Sequence, residues 1–160
     1  MKIAICFSGQ LRGSWRKCVE SWKQTFDQHE LYYFGHTWTT RSAPNFIKVT
    51  KGITDLETVD NREIQELKRA LPDIKIKVEE QIIFDPDLEQ ALHDVNYQSQ
   101  FYGVMQSANL KRKLEIEENQ NFDLCVRARW DTMFDEEWNV PEPITDHAQV
   151  IHLGFDANGH

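Results

Sequence analysis

Residues 2–15, KIAICFSGQLRGSW, decide the fold, because an apolar run passes into a polar turn and then into the start of a helix. The run Lys2–Phe7 is apolar without alternation after its first residue, which predicts a strand buried on both faces. Apolar residues recur at helical spacing from Trp15 to about Asp27, and Ser14 stands where an N-cap is expected. The stretch therefore predicts a strand, a glycine-containing turn and a helix.

Strands and helices alternate along the rest of the chain. The apolar pattern predicts strands at Leu31–Phe34, at Ile74–Val78, within Phe122–Phe134 and at Gln149–Phe155. Helices are predicted from an Asp60–Glu63 capping box to Pro72 and over Tyr97–Glu118. This order is typical of the α/β class, so we expect one Rossmann-like domain over residues 1–160, a mostly parallel sheet flanked by helices.

Composition limits the function classes. The 160 residues carry a formal net charge of -8, which argues against a general nucleic-acid or anionic-membrane binder, since both need clustered cations. The three cysteines, Cys6, Cys18 and Cys125, are far apart in apolar surroundings and predict buried free thiols in a reducing compartment. No apolar segment is long enough to span a bilayer. We expect a cytoplasmic protein.

Ligands of open α/β sheets bind beyond the carboxyl ends of the strands, near the point where strand order reverses. That rule selects Ser8–Gly13, His36–Trp38, the loop after Glu79 and the residues after Val126. In Ser8–Gly13, freed backbone N–H groups, a helix N-terminus and the Arg12 guanidinium together favour an anion such as phosphate. A tight turn with Arg12 in solvent explains the same residues, and the sequence leaves both interpretations open.

A second charged stretch is LCVRARWDTMF, residues 124–134. If it is extended, Arg127, Arg129 and Asp131 project to one side and the residues between them to the other. Buried charges need partners, and a diphosphate with a divalent metal held by the aspartate supplies one set. An edge strand with a solvated Arg–Asp pair is the alternative.

Four blocks in order, KIAICFSGQLRG, YYFGHTW, QSQFYGVMQSANLKRKLE and FDLCVRARWDTMF, cover most of the chain from Lys2 to Phe134. The set resembles small glycosyltransferase-like proteins of phages, giant viruses and bacterial polysaccharide clusters. This resemblance implies a nucleotide-diphospho-sugar transferase fold of the GT-A type, here short or truncated. It also implies a Mn²⁺ or Mg²⁺ ion, a nucleoside-diphosphate sugar as donor and a glycan or lipid-linked acceptor.

By position, the resemblance implies roles for nine residues. Nucleotide or diphosphate contacts would come from Ser8, Gly9, Gln10, Arg12, Arg127 and Arg129, the metal ligand would be Asp131, and His36 and Gln100 would border the pocket. The catalytic base is not identified by the motifs. Asp156 is the position to test, because it follows the last predicted strand.

The chain departs from the family pattern in two respects. The usual Asp-x-Asp motif is reduced to one carboxylate, since Ala128, Arg129 and Trp130 precede Asp131. Transferases of this fold also normally continue well past this length. The expected function is therefore glycosyl transfer from a nucleotide sugar, and the alternative is a non-catalytic nucleotide- or sugar-binding module that needs a partner chain or a second copy. A nucleotidyltransferase or phosphatase is a third hypothesis, which requires a second acidic metal ligand.

Overall fold

The computed structural model describes residues 1–41, 58–82, 91–133 and 150–152, and for 91–97 and 150–152 it describes the backbone alone. Five strands of this part form one parallel sheet: β1 Lys2–Ser8, β2 Glu30–Trp38, β3 Lys75–Glu79, β4 Leu124–Arg129 and β5 Val150–His152. Three helices connect them: α1 Trp15–Thr25, α2 Asn61–Ala70 and α3 Ala91–Glu118. The predicted α/β class with a parallel sheet is confirmed.

The strand order is β3-β2-β1-β4-β5, which is the doubly wound arrangement of Rossmann-like folds. The chain moves outward from β1 to β3, then returns through α3 and continues on the other side of β1. Strand order therefore reverses between β1 and β4, whose last register pair is Ser8 with Arg129. The carboxyl ends of these two strands form the switch point of the sheet.

The face of the sheet that packs on α1 and α2 is entirely apolar at its centre. Its core includes Phe7 of β1, Trp15 and Trp22 of α1, Leu67 of α2 and Trp130, which follows β4. The rings of Phe7 and Trp130 are stacked 4.5 Å apart. Burial of this many large side chains supplies the main stabilisation of the fold.

The opposite face packs on α3 and is only partly apolar. Its core is smaller and joins Ala4, Cys6 and Phe34 to Leu114 and Phe122. Toward the carboxyl ends of the strands, polar residues replace the apolar ones on this face. The helix α3 also leaves apolar side chains in solvent, including Phe101 and Met105.

The capping box at α2 is confirmed, since the Asp60 carboxylate accepts a hydrogen bond from the backbone N–H of Glu63 at 2.9 Å. The position of Ser14 before α1 is also confirmed, but its side chain makes no capping bond. The helix α3 ends where predicted, and Asn119 follows it with a φ of 48°, the left-handed conformation that stops helices.

Two elements are longer than predicted. The helix α3 begins at Ala91 rather than Tyr97, and β2 continues through Gly35 to Trp38. A glycine inside a strand usually weakens it, but a Cβ on Gly35 would lie 2.8 Å from the ring of Trp130. The close approach of that indole requires the glycine. In the part of the chain that the structure describes, no helix is both long and apolar enough to cross a membrane.

Candidate functional site

The two segments that the sequence singles out meet at the switch point. Arg12, in the loop after β1, donates to the Asp131 carboxylate at 3.2 Å across 119 residues of sequence. Ser8 and Arg129 are register partners at the ends of β1 and β4. The prediction that Ser8–Gly13 and Arg127–Asp131 converge on one edge of the sheet is confirmed for their position, whereas a pyrophosphate pocket between them stays a prediction, because Arg12 and Arg129 are both paired with Asp131.

The loop from Ser8 to Ser14 is held in place by its backbone. Gly9 has a φ of 105°, a conformation that L side chains rarely adopt, which explains the glycine at this position. The side chain of Leu11 is fully buried, and its N–H donates to Thr37 Oγ1 of β2 at 3.1 Å. This hydrogen bond holds the loop against β2 at Leu11, and Gln10 and Arg12 are the neighbours of Leu11 in the chain. Gly13 meets no atom within 4 Å of an added Cβ, so no close approach requires it.

Asp131 lies between two guanidinium groups. Arg129 donates from Nε to Oδ1 and from an Nη to Oδ2, both at 2.8 Å, while Arg12 donates to Oδ2. Burial alone would raise the pKa of Asp131, but the hydrogen bonds and charge of Arg129, with the charge of Arg12, lower it below the usual range. The carboxylate is ionised at neutral pH and positions both arginines at the carboxyl edge.

Arg127 lies on the face of β4 that α3 covers, as the predicted alternation along this strand requires. Its side chain is partly buried, and among the described residues it has no ion-pair partner and its buried Nε has no hydrogen-bond partner. Burial, with the like charge of Arg129 next to it, lowers the pKa of Arg127. A cation held this way is electrostatically unbalanced, and an anion would balance it.

Two further buried polar atoms lie at the ends of β1 and β2. Ser8 Oγ and His36 Nδ1 are buried and have no hydrogen-bond partner in the part of the chain that the structure describes, and both residues are about 99 % or more shielded from solvent. The backbone of α3 passes directly over them at Gly103, where an added Cβ would lie 3.0 Å from His36 Nδ1 and 3.6 Å from Ser8 Cβ. Buried polar atoms without partners are rare in folded proteins, and each calls for an explanation such as an ordered water, a bound ion or a catalytic role.

The other ring nitrogen of His36 contacts a carboxylate. His36 Nε2 lies 3.1 Å from Glu79 at the end of β3, and the Tyr102 hydroxyl and Lys77 also donate to Glu79. Burial lowers the pKa of His36 more than Glu79 raises it, so the imidazole is neutral at pH 7. Burial of Glu79 acts to raise its pKa, but Lys77, His36 and Tyr102 outweigh it and lower the pKa. Glu79 is thus held in its ionised form and accepts hydrogen bonds at this edge.

Two predicted site residues, Gln100 and Asp156, have no described contact at this edge. Gln100 lies on α3 three residues before Gly103, and its side chain makes no hydrogen bond to the described residues. It stays a predicted pocket residue. Asp156, the predicted position for a catalytic base, lies outside the described residues.

A divalent metal does not fit Asp131 in this arrangement. Both carboxylate oxygens already accept hydrogen bonds from guanidinium groups, and a cation would have to displace them or lie beside two like charges. The described residues contain no group of three or more His, Cys, Asp or Glu side chains placed to hold a metal. The Mn²⁺ or Mg²⁺ ion stays a prediction, and no step below depends on it.

Sequence reasoning missed four residues that shape this edge: Thr37, Glu79, Tyr102 and Gly103. Thr37 and Glu79 lie at the carboxyl ends of β2 and β3, where ligands of such sheets are expected to bind. That rule identifies the region but does not predict the hydrogen bonds of these two residues. No sequence signal identifies Tyr102 or Gly103, because they reach the edge through the packing angle of α3. Their contacts come from the fold.

Comparison with known proteins adds nothing to these observations: no protein-family model, curated protein or solved structure matches the chain. The geometry of the carboxyl edge therefore carries the functional argument.

Proposed function

We propose that the protein binds a nucleoside-diphosphate sugar at the carboxyl edge between β1 and β4 and transfers the sugar to a glycan-type acceptor. The single observation that carries the proposal is Arg127, a partly buried guanidinium two residues before the carboxyl end of β4 that makes no ion pair with any of the described residues. A diphosphate is the anion of matching charge that this class of sheet commonly binds there.

The described residues provide different contacts for the diphosphate. Arg127 and Arg129 face the diphosphate from β4, and Arg12 faces it from the loop after β1. The first turn of α1 has no acidic side chain and no side-chain cap at Ser14, so its N–H groups favour an anion.

The arginines can also serve the reaction itself. Transfer breaks the bond between the anomeric carbon and the diphosphate oxygen, and it forms a bond from that carbon to an acceptor hydroxyl. Negative charge develops on the leaving diphosphate, and preorganised guanidinium groups stabilise it more in the transition state than in the ground state. We place the reaction in the cytoplasm, or in the host cytoplasm if the protein is viral.

The proposal is tested by thermal unfolding in the presence of UDP-, GDP- and CDP-sugars, with and without EDTA. Saturation of a specific site at about 100 times its Kd should raise Tm by roughly 5–10 °C for a chain of this size. We expect one nucleotide to give this shift, and the matching nucleoside to give none. If all three diphosphates give no shift, the proposal is wrong.

A non-catalytic binding module is the second candidate, and Asp131 favours it. Its carboxylate positions two arginines and leaves no described acidic group free at the switch point for metal or base chemistry. Binding by thermal shift without hydrolysis or transfer of the sugar, measured by release of free nucleoside diphosphate, identifies the module. Release that depends on an added acceptor identifies the transferase.

A further inference from the structure

The carboxyl end of β2 contacts both segments of the candidate site. Thr37 Oγ1 accepts a hydrogen bond at 3.1 Å from the backbone N–H of Leu11, in the loop after β1. The carbonyl oxygen of His36 accepts one at 2.9 Å from Nε1 of Trp130, in the turn after β4. Two consecutive residues of one strand therefore hold the two segments in place.

Both hydrogen bonds are shielded from solvent. Leu11 and Trp130, which donate, and His36 and Thr37, which accept, are all fully buried. A buried donor that loses its acceptor still bears the cost of leaving water, because no water molecule replaces the lost partner. Neither segment can therefore move away from β2 without a loss of stability.

The turn after β4 has further support. Trp22 Nε1 of α1 donates to the carbonyl oxygen of Thr132 at 2.8 Å, and the Thr132 hydroxyl donates to the carbonyl oxygen of Arg129 at 3.2 Å. The turn that carries Asp131 is thus held from α1, from β2 and from within. The loss of one hydrogen bond should leave this turn in place.

The loop after β1 places Arg12 directly after Leu11. The Arg12 side chain is 53 % exposed and donates to Asp131 at 3.2 Å, and an exposed ion pair fixes little geometry by itself. The side chain of Leu11 lies in the apolar core, and its N–H is bound to Thr37. Without the Thr37 hydroxyl, the Leu11 N–H would need a new acceptor. The loop would shift to supply one and would draw Arg12 away from Asp131.

We propose that Thr37 is a positioning residue of the candidate site, whose hydroxyl sets the loop after β1 so that Arg12 meets Asp131. Since Thr37 is fully buried, it acts through the loop and not by contact with a ligand. Its effect on diphosphate affinity rests on the proposed function, whereas its effect on the position of Arg12 does not.

The test is the ¹⁵N NMR cross-peak of the Arg12 Nε–Hε group in the full chain without nucleotide. Arg12→Met assigns this cross-peak by its absence, and Asp131→Ala gives its position when the ion pair is lost. Thr37→Val removes the hydroxyl and keeps the shape of the side chain, so the cross-peak should move toward its position in Asp131→Ala. Thr37→Ser keeps the hydroxyl and should leave the cross-peak at the wild-type position.

Thr25→Val is the matched control. The Thr25 hydroxyl donates to the carbonyl oxygen of Ser21 within α1, at the end of the helix that is remote from the loop. The same substitution there should leave the Arg12 cross-peak unchanged.

Three results would overturn the proposal. The first is a folded Thr37→Val protein whose Arg12 cross-peak stays at the wild-type position, and the second is a shift in Thr37→Ser as large as that in Thr37→Val. The third is a Leu11 amide that exchanges with deuterium in the wild type as fast as in an unstructured peptide, since a buried bond to Thr37 should slow this exchange.

The exchange measurement needs no variant at Thr37, so the proposal stays falsifiable if Thr37→Val does not fold. Neither measurement uses a nucleotide. A failure of this proposal is therefore distinguishable from a failure of the proposed function.

Discussion

The two faces of the sheet differ most where their strands end. At the end of β1, Phe7 turns toward α1 and is fully enclosed by apolar side chains, while its neighbour Ser8 turns toward α3 with an unsatisfied hydroxyl. On β4, Ala128 packs in the apolar core, whereas Arg127 has no ion-pair partner among residues 1–41, 58–82 and 98–133. One face is built for stability, and the other carries polar groups that folding alone does not explain.

The difference predicts that substitutions on the two faces separate stability from binding. Residues on the α1 side should change the free energy of unfolding, and residues on the α3 side at the carboxyl edge should change ligand affinity. Unpaired buried polar groups usually cost stability and are retained for function. The substitutions below test this separation, from the largest expected effect to the smallest.

Phe7→Ala should have the largest effect. The ring is fully buried and contacts Trp22 and Trp130, so its removal leaves a cavity. We expect a loss of about 3–5 kcal/mol in the free energy of unfolding, measured by urea denaturation. Phe101→Ala is the matched control, because Phe101 is 65 % exposed and its loss should change stability by less than about 0.5 kcal/mol. Equal effects of the two substitutions would contradict the assignment of the core.

Arg127→Met should lower affinity for the nucleoside diphosphate without destabilising the fold. Loss of a charge-assisted contact of about 1.5–3 kcal/mol corresponds to roughly 10- to 150-fold in Kd, measured by calorimetry. The free energy of unfolding should stay the same or increase, because an unpaired, partly buried charge is replaced by an apolar group of similar length.

The control for this substitution is Arg112→Met on the exposed side of α3. It removes the same charge and should leave both affinity and stability unchanged. If Arg127→Met lowers stability and leaves affinity intact, the guanidinium is structural and the comparison between the two faces fails.

Asp131→Asn should have a smaller effect on stability, about 1–2 kcal/mol at pH 7, because both arginine partners are partly in solvent. The folded-state pKa of Asp131 is lowered, so its stabilisation is present above the unfolded pKa of about 3.9 and is lost as pH falls through the folded value. The difference between variant and wild type should therefore shrink toward acid pH.

Asp131→Asn also distinguishes an arginine-positioning carboxylate from a metal ligand. If the carboxylate positions Arg12 and Arg129, the variant should bind the nucleoside diphosphate more weakly than the wild type, and by the same factor in Mn²⁺ and in EDTA. Binding that needs Mn²⁺ in the wild type and disappears in the variant would show that Asp131 holds a metal.

His36 should have the smallest effect, visible as a pH slope. Burial lowers its pKa, so the stability that the neutral ring provides is present above the unfolded pKa of about 6.5 and is lost as pH falls below it. The wild type should lose stability between about pH 7.5 and pH 5.5, by thermal unfolding. His36→Gln should flatten this slope even if it lowers Tm at every pH. If the pH dependence of Tm is the same in His36→Gln as in the wild type, a group other than His36 causes the loss of stability toward acid pH.

Much of this fold could be predicted from the sequence. The continuous apolar run of β1, the helical spacing after Trp15 and the capping box at Asp60 each have a local physical cause, so their elements were confirmed. The convergence of Arg12 and Asp131 was also confirmed, because the carboxyl ends of parallel strands share one edge.

What could not be predicted depends on packing across the sheet. Gly103 allows α3 to approach His36 and Ser8 closely, and Trp130, which follows β4, contacts Gly35 of β2. Neither contact has a sequence signal, since each joins segments far apart in the chain. The Arg129–Asp131 pair matches the alternative that the sequence left open, although β4 is not an edge strand. The pairing of Asp131 with Arg12 and the contact of Cys6 with Cys125 had no sequence signal for the same reason.

The central claim is that Arg127 receives the diphosphate, and its side-chain N–H resonance tests this most directly. At 18.9 kDa the protein is suited to ¹⁵N NMR, and the Nε–Hε cross-peak of Arg127 is assigned by its absence in Arg127→Met. On titration with the nucleoside diphosphate that raises Tm, this cross-peak should shift and saturate with the same Kd as calorimetry. If saturation with the nucleoside diphosphate shifts other resonances but leaves the Arg127 cross-peak unchanged, Arg127 does not receive the diphosphate.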